Sequence, residues 1–223
     1  MTVEWLHFPS YELPIKGFDR VMLAGDIHPD TEGPQVQALM QPNGEVIASH
    51  FHDVPQFQVI VGGGGYIGRH PMSRGMVRYV DRHRVYGPVR PNENGLVYLT
   101  LRREHDPGPH YMPESRPLLA ERQPVDPRGL SFDMVALDTC WRSASYGDED
   151  GLAVVALNLG RHESRTFPMN GGGGFVVVIG GDLDVAPAVS ALWIAADEWF
   201  MAIAGPSGAR VLRLQFPTAQ AGQ

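Results

Sequence analysis

The chain has 223 residues, enough for one large domain or two small ones, each able to bury its own core. Hydrophobic residues make up 43% and charged residues 19%, with a formal net charge of −7, a balance ordinary for a globular protein and opposed to a chain-wide nucleic-acid surface. The one cysteine, Cys140, rules out an internal disulfide and a cysteine zinc finger, and it reads as structural.

No continuous apolar stretch opens the sequence, and no run of 18 apolar residues follows. The expectation is a cytoplasmic protein with no signal peptide, no membrane span and no nucleic-acid partner. Glycine (26) and proline (19) are abundant, which favours many turns and short strands.

In chain order, strand-like runs fall at Val36–Met40, Glu45–His52, Phe57–Val61, Tyr66–Gly68, Met76–Val80 and Leu96–Leu101. A proline-rich stretch from Asp106 to Arg128 reads as a long connection, and Phe132–Arg142 carries the one helical pattern. Strands resume at Leu152–Leu159, Phe175–Ile179, Leu192–Ile194, Trp199–Ala204 and Ala209–Phe216. The tetraglycine runs Gly62–Gly65 and Gly171–Gly174 lack the Lys-Ser/Thr or helix of a phosphate loop, so they read as turns or bulges. The fold class is all-β.

An internal repeat divides the chain. Phe57-Gln-Val-Ile-Val-Gly62 matches Phe175-Val-Val-Val-Ile-Gly180 at an offset of 175 − 57 = 118. The same offset carries Val36–Met40 onto Val154–Asn158 and Gly87-Pro88 onto Gly205-Pro206. After a short deletion, Gly95–Leu101 matches Gly208–Leu214 at an offset of 113. Two domains are expected, at 1–125 and 126–223.

Chemistry concentrates in His50-Phe-His52-Asp-Val-Pro-Gln56. On a strand, residues two apart share a face, so His50 and His52 can present both imidazoles to one point, with Gln56 at the same parity. His83 offers a further imidazole. Asp53 and Asp81 are candidate acceptors for imidazole N–H groups. The arginines between Arg69 and Arg90 are either a guanidinium clamp or, by the plainer reading, a solvated strand face. Tyr86 is the candidate acid/base residue.

This pattern resembles the cupin superfamily, whose first motif runs glycine, five residues, His-x-His, three or four residues, glutamate, six residues, glycine. Here Gly44, His50, His52 and Gly63 hold those places, and Gln56 replaces the glutamate. The Pro-x-Gly turn that usually precedes the second-motif histidine is absent before His83. The resemblance implies two tandem small β-barrels of the double-stranded β-helix or jelly-roll type. It implies one divalent metal ion (iron, zinc or nickel) on His50, His52, Gln56 and His83. It also implies a metal-dependent, dioxygenase-like enzyme acting on a small oxygenated substrate, with an anionic one favoured by the uncharged Gln56, and a homodimer. A non-catalytic sensor or binding cupin, or a metal-dependent isomerase or lyase, is the alternative. The offset of 118 sends the four ligands to Pro168, Asn170, Gly174 and Met201, so the second barrel is expected to hold no metal.

Overall fold

The computed structural model describes residues 5–25, 32–122, 127–133 and 144–218. The strands are β1 (Leu6–His7), β2 (Asp19–Ala24), β3 (Gln35–Gln41), β4 (His50–Phe51), β5 (Gln56–Ile67), β6 (His70–Ser73), β7 (Met76–Val80) and β8 (Val89–Arg102). Then come β9 (His110–Tyr111), the helix α1 (Arg116–Arg122), β10 (Gly129–Asp133) and β11 (Ala144–Gly147). β12 (Ala153–Leu159), β13 (Ser164–Pro168), β14 (Gly174–Leu183), β15 (Ser190–Ile194) and β16 (Trp199–Gln215) complete the chain. The helix pattern expected from Phe132 is not realised at its start, because Phe132 and Asp133 pair with Val77 and Met76 at the end of β10. The rest of that segment, Cys140 included, lies outside the described residues.

The chain divides into two compact units. One is Pro9–Val135; the other joins Met1–Phe8 to Ala136–Gln223. The division therefore falls ten residues beyond 125, because β10 completes the first sheet by pairing with β7. In the first unit the strand order is β10-β7-β5-β8-β3-β2, with β6 on β5, and β4 pairs separately with β9. In the second unit the order is β1-β15-β14-β16-β12-β11, with β13 on β16. All pairs are antiparallel.

The duplication holds to the residue in the best-matched strands. Adding 118 carries β3 onto β12, and Gln56, the first residue of β5, onto Gly174, the first of β14. Irregularities at Ile60/Gly62 and Gly63/Gly65 recur at Val178/Gly180 and Gly181/Leu183. These bulges need glycine. Gly63 has φ +64 and Gly181 has φ +67, and a Cβ on either would collide with a facing carbonyl, that of Gly95 or Gly208. The first tetraglycine run is thus not a turn between two strands. β5 passes straight through it and bends against β8. In the second copy only Gly171–Gly173 form a turn, and β14 begins at Gly174. Likewise β16 runs unbroken through Gly205–Gly208, where the sequence suggests two strands.

Candidate functional site

β4 is only two residues long, but the alternation carried through it does the expected work. His50 and His52 face a cavity of about 140 Å³ in the first unit, and both side chains are largely buried. Phe51 and Asp53 face the other way by the same alternation.

Both imidazoles are held by Nδ1. His50 Nδ1 lies 2.6 Å from the Ala48 carbonyl oxygen, which can only accept, so Nδ1 carries the proton. His52 Nδ1 lies 2.7 Å from Asp106 Oδ2 and 3.4 Å from Arg102 Nη2. The shorter contact decides the tautomer, and Nδ1–H donates to the carboxylate. Nε2 of each ring is therefore a lone pair with no protein partner among the described residues. Burial, then the neighbouring His52, pulls the His50 pKa down to about 4. Burial also lowers that of His52, outweighing the Asp106 hydrogen bond. For Asp106, burial acts to raise the pKa, but the His52 bond and Arg102 prevail and lower it.

Gln56 and His83 do not join this pair. Gln56 Oε1 accepts from Arg102 Nε at 3.1 Å, and its Nε2 donates to the Tyr86 hydroxyl at 2.6 Å. Both ends of its amide are engaged by the protein. His83 lies on the reverse side of β4. Its Nε2 meets Asp53 Oδ1 at 3.1 Å and its ring packs on Phe51. The same carboxylate meets His110 Nε2 at 2.9 Å. Of the four residues expected as ligands, only His50 and His52 line the cavity, and His83 is kept from it by strand parity: Asp53 and Phe51 hold it on the face that His50 and His52 leave. Among the described residues, no group of three or more His, Cys, Asp or Glu side chains is placed to hold a metal ion. What fits a metal is the anchored imidazole pair, since a ligating histidine characteristically donates its other N–H to a carboxylate or a backbone carbonyl.

Asp53 and Asp81 do not support the cavity histidines either. Asp81 accepts from Tyr79 at 2.7 Å and pairs with Arg128 at 3.0 Å. Asp106 takes the supporting role, from a stretch that the sequence presents as a featureless connection. The second missed residue is Arg102, buried at the end of β8. Its Nη1 donates to Gln35 Oε1 at 2.6 Å and its Nη2 lies 3.4 Å from Asp106 Oδ2. The arginines of the 69–90 stretch do not line the cavity; Arg20 and Arg102 do. Arg78 packs instead over the Tyr86 ring at 5.4 Å. Tyr86 is in the cavity wall, and burial pushes its pKa up to about 12, so it stays protonated.

The second unit shows what replaces these groups. His83 N–H donates to the His52 carbonyl, and Asp197 N–H to that of Met169, both at 2.8 Å. His83 and Asp197 share φ 61. His50 bridges Tyr86 just as Phe167 pairs Phe200. The structural counterparts are therefore Phe167 for His50, Met169 for His52, Asp197 for His83 and Phe200 for Tyr86, not Pro168, Asn170 and Met201. Of the expected counterparts, Gly174 alone stands, since it pairs with Ile194 at the start of β14 as Gln56 pairs with Val80 at the start of β5. Phe167 and Met169 are fully buried in the second core, with Phe200 packed against it.

Comparison with solved structures identifies the architecture. The bacterial pirin YhhW of Escherichia coli, solved in complex with nickel(II), aligns over 98% of this chain and 100% of its own, with TM-score 0.63 and 11% identity. A Nostoc punctiforme protein provisionally assigned as a dioxygenase aligns over 99% of this chain and 82% of its own, with TM-score 0.61 and 13% identity. A cupin 2 conserved barrel domain protein from Leptotrichia buccalis aligns over 96% of both chains, with TM-score 0.52 and 12% identity. No family model matches the sequence, and no curated protein matches it. The chain has the cupin fold, in two tandem barrels. Among the described residues, no helix is long and apolar enough to cross a membrane.

Proposed function

We propose that the first barrel is the working unit, and that it binds a small oxygenated molecule against a divalent metal ion carried on Nε2 of His50 and His52. The observation that carries this reading is the anchoring of both rings. Each Nδ1–H is tied to an acceptor, so each Nε2 lone pair is fixed toward one cavity before any ligand arrives. Bound ligand or water would complete the coordination. A metal so held supplies Lewis-acid polarisation of a substrate oxygen and, for iron, dioxygenase-like chemistry. Iron, zinc and nickel all accept imidazole. The nickel in the pirin and the assignment of the Nostoc protein agree with this reading without testing it.

The protein's own residues have defined parts. Asp106 holds the His52 ring. Arg102 and Tyr86 hold Gln56 away from the imidazoles, and Tyr86 stands as a protonated hydroxyl in the wall.

Metal analysis of purified protein tests the reading. About one ion per chain is expected, with loss of that ion in His50→Ala/His52→Ala protein. Oxygen uptake with candidate substrates then tests the dioxygenase-like part. Full retention of metal in the double variant overturns the assignment. A second reading, a metal-free small-molecule-binding cupin, is favoured by the Arg102–Asp106 pair, which places a guanidinium beside the histidines and leaves a cation only two donors. Metal-free protein that still binds ligand selects it.

A further inference from the structure

The cavity lining carries chemistry that the histidine pair does not use. Its charged groups are Arg20, Arg102 and Asp106, one more cation than anion. Arg102 has five N–H groups. Protein acceptors take Nε, one N–H of Nη1 and, at 3.4 Å, one of Nη2, leaving two in a side chain that lines the cavity. Arg20 is exposed and lines the same space, so it stands at the mouth. Two guanidiniums on one small cavity repel each other unless an anion lies between them.

Gln58 supplies a second, independent demand. Its side chain is 2% exposed and lines the cavity. Its Nε2 reaches the Tyr86 hydroxyl only at 3.5 Å, and its Oε1 is buried with no partner. Turning the amide over exchanges the two ends but still leaves one unsatisfied. A buried amide end without a partner costs free energy that a ligand hydroxyl, able to donate or accept, would recover.

Size sets the third limit. About 140 Å³ is close to the roughly 150 Å³ of an apolar cavity that admits benzene. Leu39, Ile47 and Val89 make one part of this lining apolar.

We propose that the ligand is a small hydroxylated monocarboxylic acid with a body no larger than one six-membered ring, its carboxylate between Arg102 and Arg20 and its hydroxyl on Gln58. This rests on the reading that the first-barrel cavity is the ligand site, and it names the class of molecule that site takes. Asp106 stays as the partner of His52, and the apolar side chains cover the ring.

Calorimetric titration of the purified full-length protein tests it, with benzoate, the three hydroxybenzoates and phenol as probes. At least one hydroxybenzoate is expected to bind about ten-fold or more tightly than both benzoate and phenol, the preference a matched polar contact gives. Gln58→Leu, which leaves the Arg102–Asp106 pair alone, should bring that acid within about three-fold of benzoate. Arg20→Met should weaken every acid and leave phenol unchanged. The proposal fails if no acid binds more tightly than phenol, or if Gln58→Leu keeps the hydroxyl preference. Metal content of the same samples separates the two ideas. Acid selectivity in metal-free protein removes the metal and keeps this inference. Metal bound without acid selectivity does the reverse.

Discussion

The two barrels share a strand plan, bulges and even a strained turn residue, yet differ completely at one place. Where the first unit has His50, His52 and Tyr86, the second has Phe167, Met169 and Phe200. Where it has Gln58 and Tyr98, the offsets of 118 and 113 give Val176 and Val211, both in the second core. The second barrel is packed shut by apolar side chains at the position the first keeps polar and open. Close packing stabilises a barrel, and an open polar pocket gives up part of that stability. The comparison leaves an open, polar-lined cavity in the first unit and a filled apolar interior in the second.

The sharpest way to break this comparison is to move the imidazoles. Phe167→His/Met169→His should destabilise the second barrel by about 4 kcal/mol or more, through lost packing and buried ring nitrogens without partners. Denaturant midpoints measure it, and a loss under about 1 kcal/mol would mean that this interior is not closed.

Arg102→Met comes next, because it strands a buried carboxylate. A loss of about 3–5 kcal/mol is expected, whereas Gln215→Met at the counterpart position should cost about 1 kcal/mol. Adding Asp106→Asn to the arginine variant should restore part of the loss; no recovery would separate Asp106 from Arg102 energetically.

The third test uses pH on metal-stripped protein. His50 titrates at about 4 when folded against about 6.5 unfolded, so the unfolded chain binds more protons between those values. Stability of the first barrel should be full above pH ~6.5 and fall by about 3 kcal/mol as pH drops toward ~4. His50→Gln should flatten that slope, and an unchanged slope would assign the loss to other groups.

Gln56→Leu should cost about 1–2 kcal/mol, from the two hydrogen bonds it breaks, and leave metal stoichiometry unchanged. Loss of metal in that variant would restore Gln56 as a ligand. The smallest effect belongs to His83→Asn. Asparagine tolerates the φ of 61 found there, so the loss should be limited to about 1 kcal/mol, from the Asp53 and Phe51 contacts, with metal retained.

The sequence carried the all-β class, the duplication and the His50/His52 pair because each rests on local periodicity or on self-comparison. Parity along one strand placed the two imidazoles correctly. It carried no information about His83, which reaches the site region from another part of the chain and is taken by Asp53 on the reverse face. Asp106 was illegible for the same reason: it meets His52 across 54 residues, and nothing in Asp-Pro-Gly-Pro signals a buried carboxylate. Arg102 sits beside Arg103 in sequence, and only burial separates the guanidinium that lines the cavity from its neighbour. The ungapped offset misplaced the counterparts by one residue near His50 and by four near His83, since the second copy is shorter in those two loops.

One feature of the chain path governs the order of assembly during synthesis. β1 pairs with β15 through Leu6↔Ala191 and His7↔Ser190. β1 therefore waits for a partner that is synthesised only after the whole of Pro9–Val135 has emerged. The first barrel can close while its neighbour is still incomplete, and a truncated product ending near residue 135 would keep that barrel but leave β1 without its partner strand.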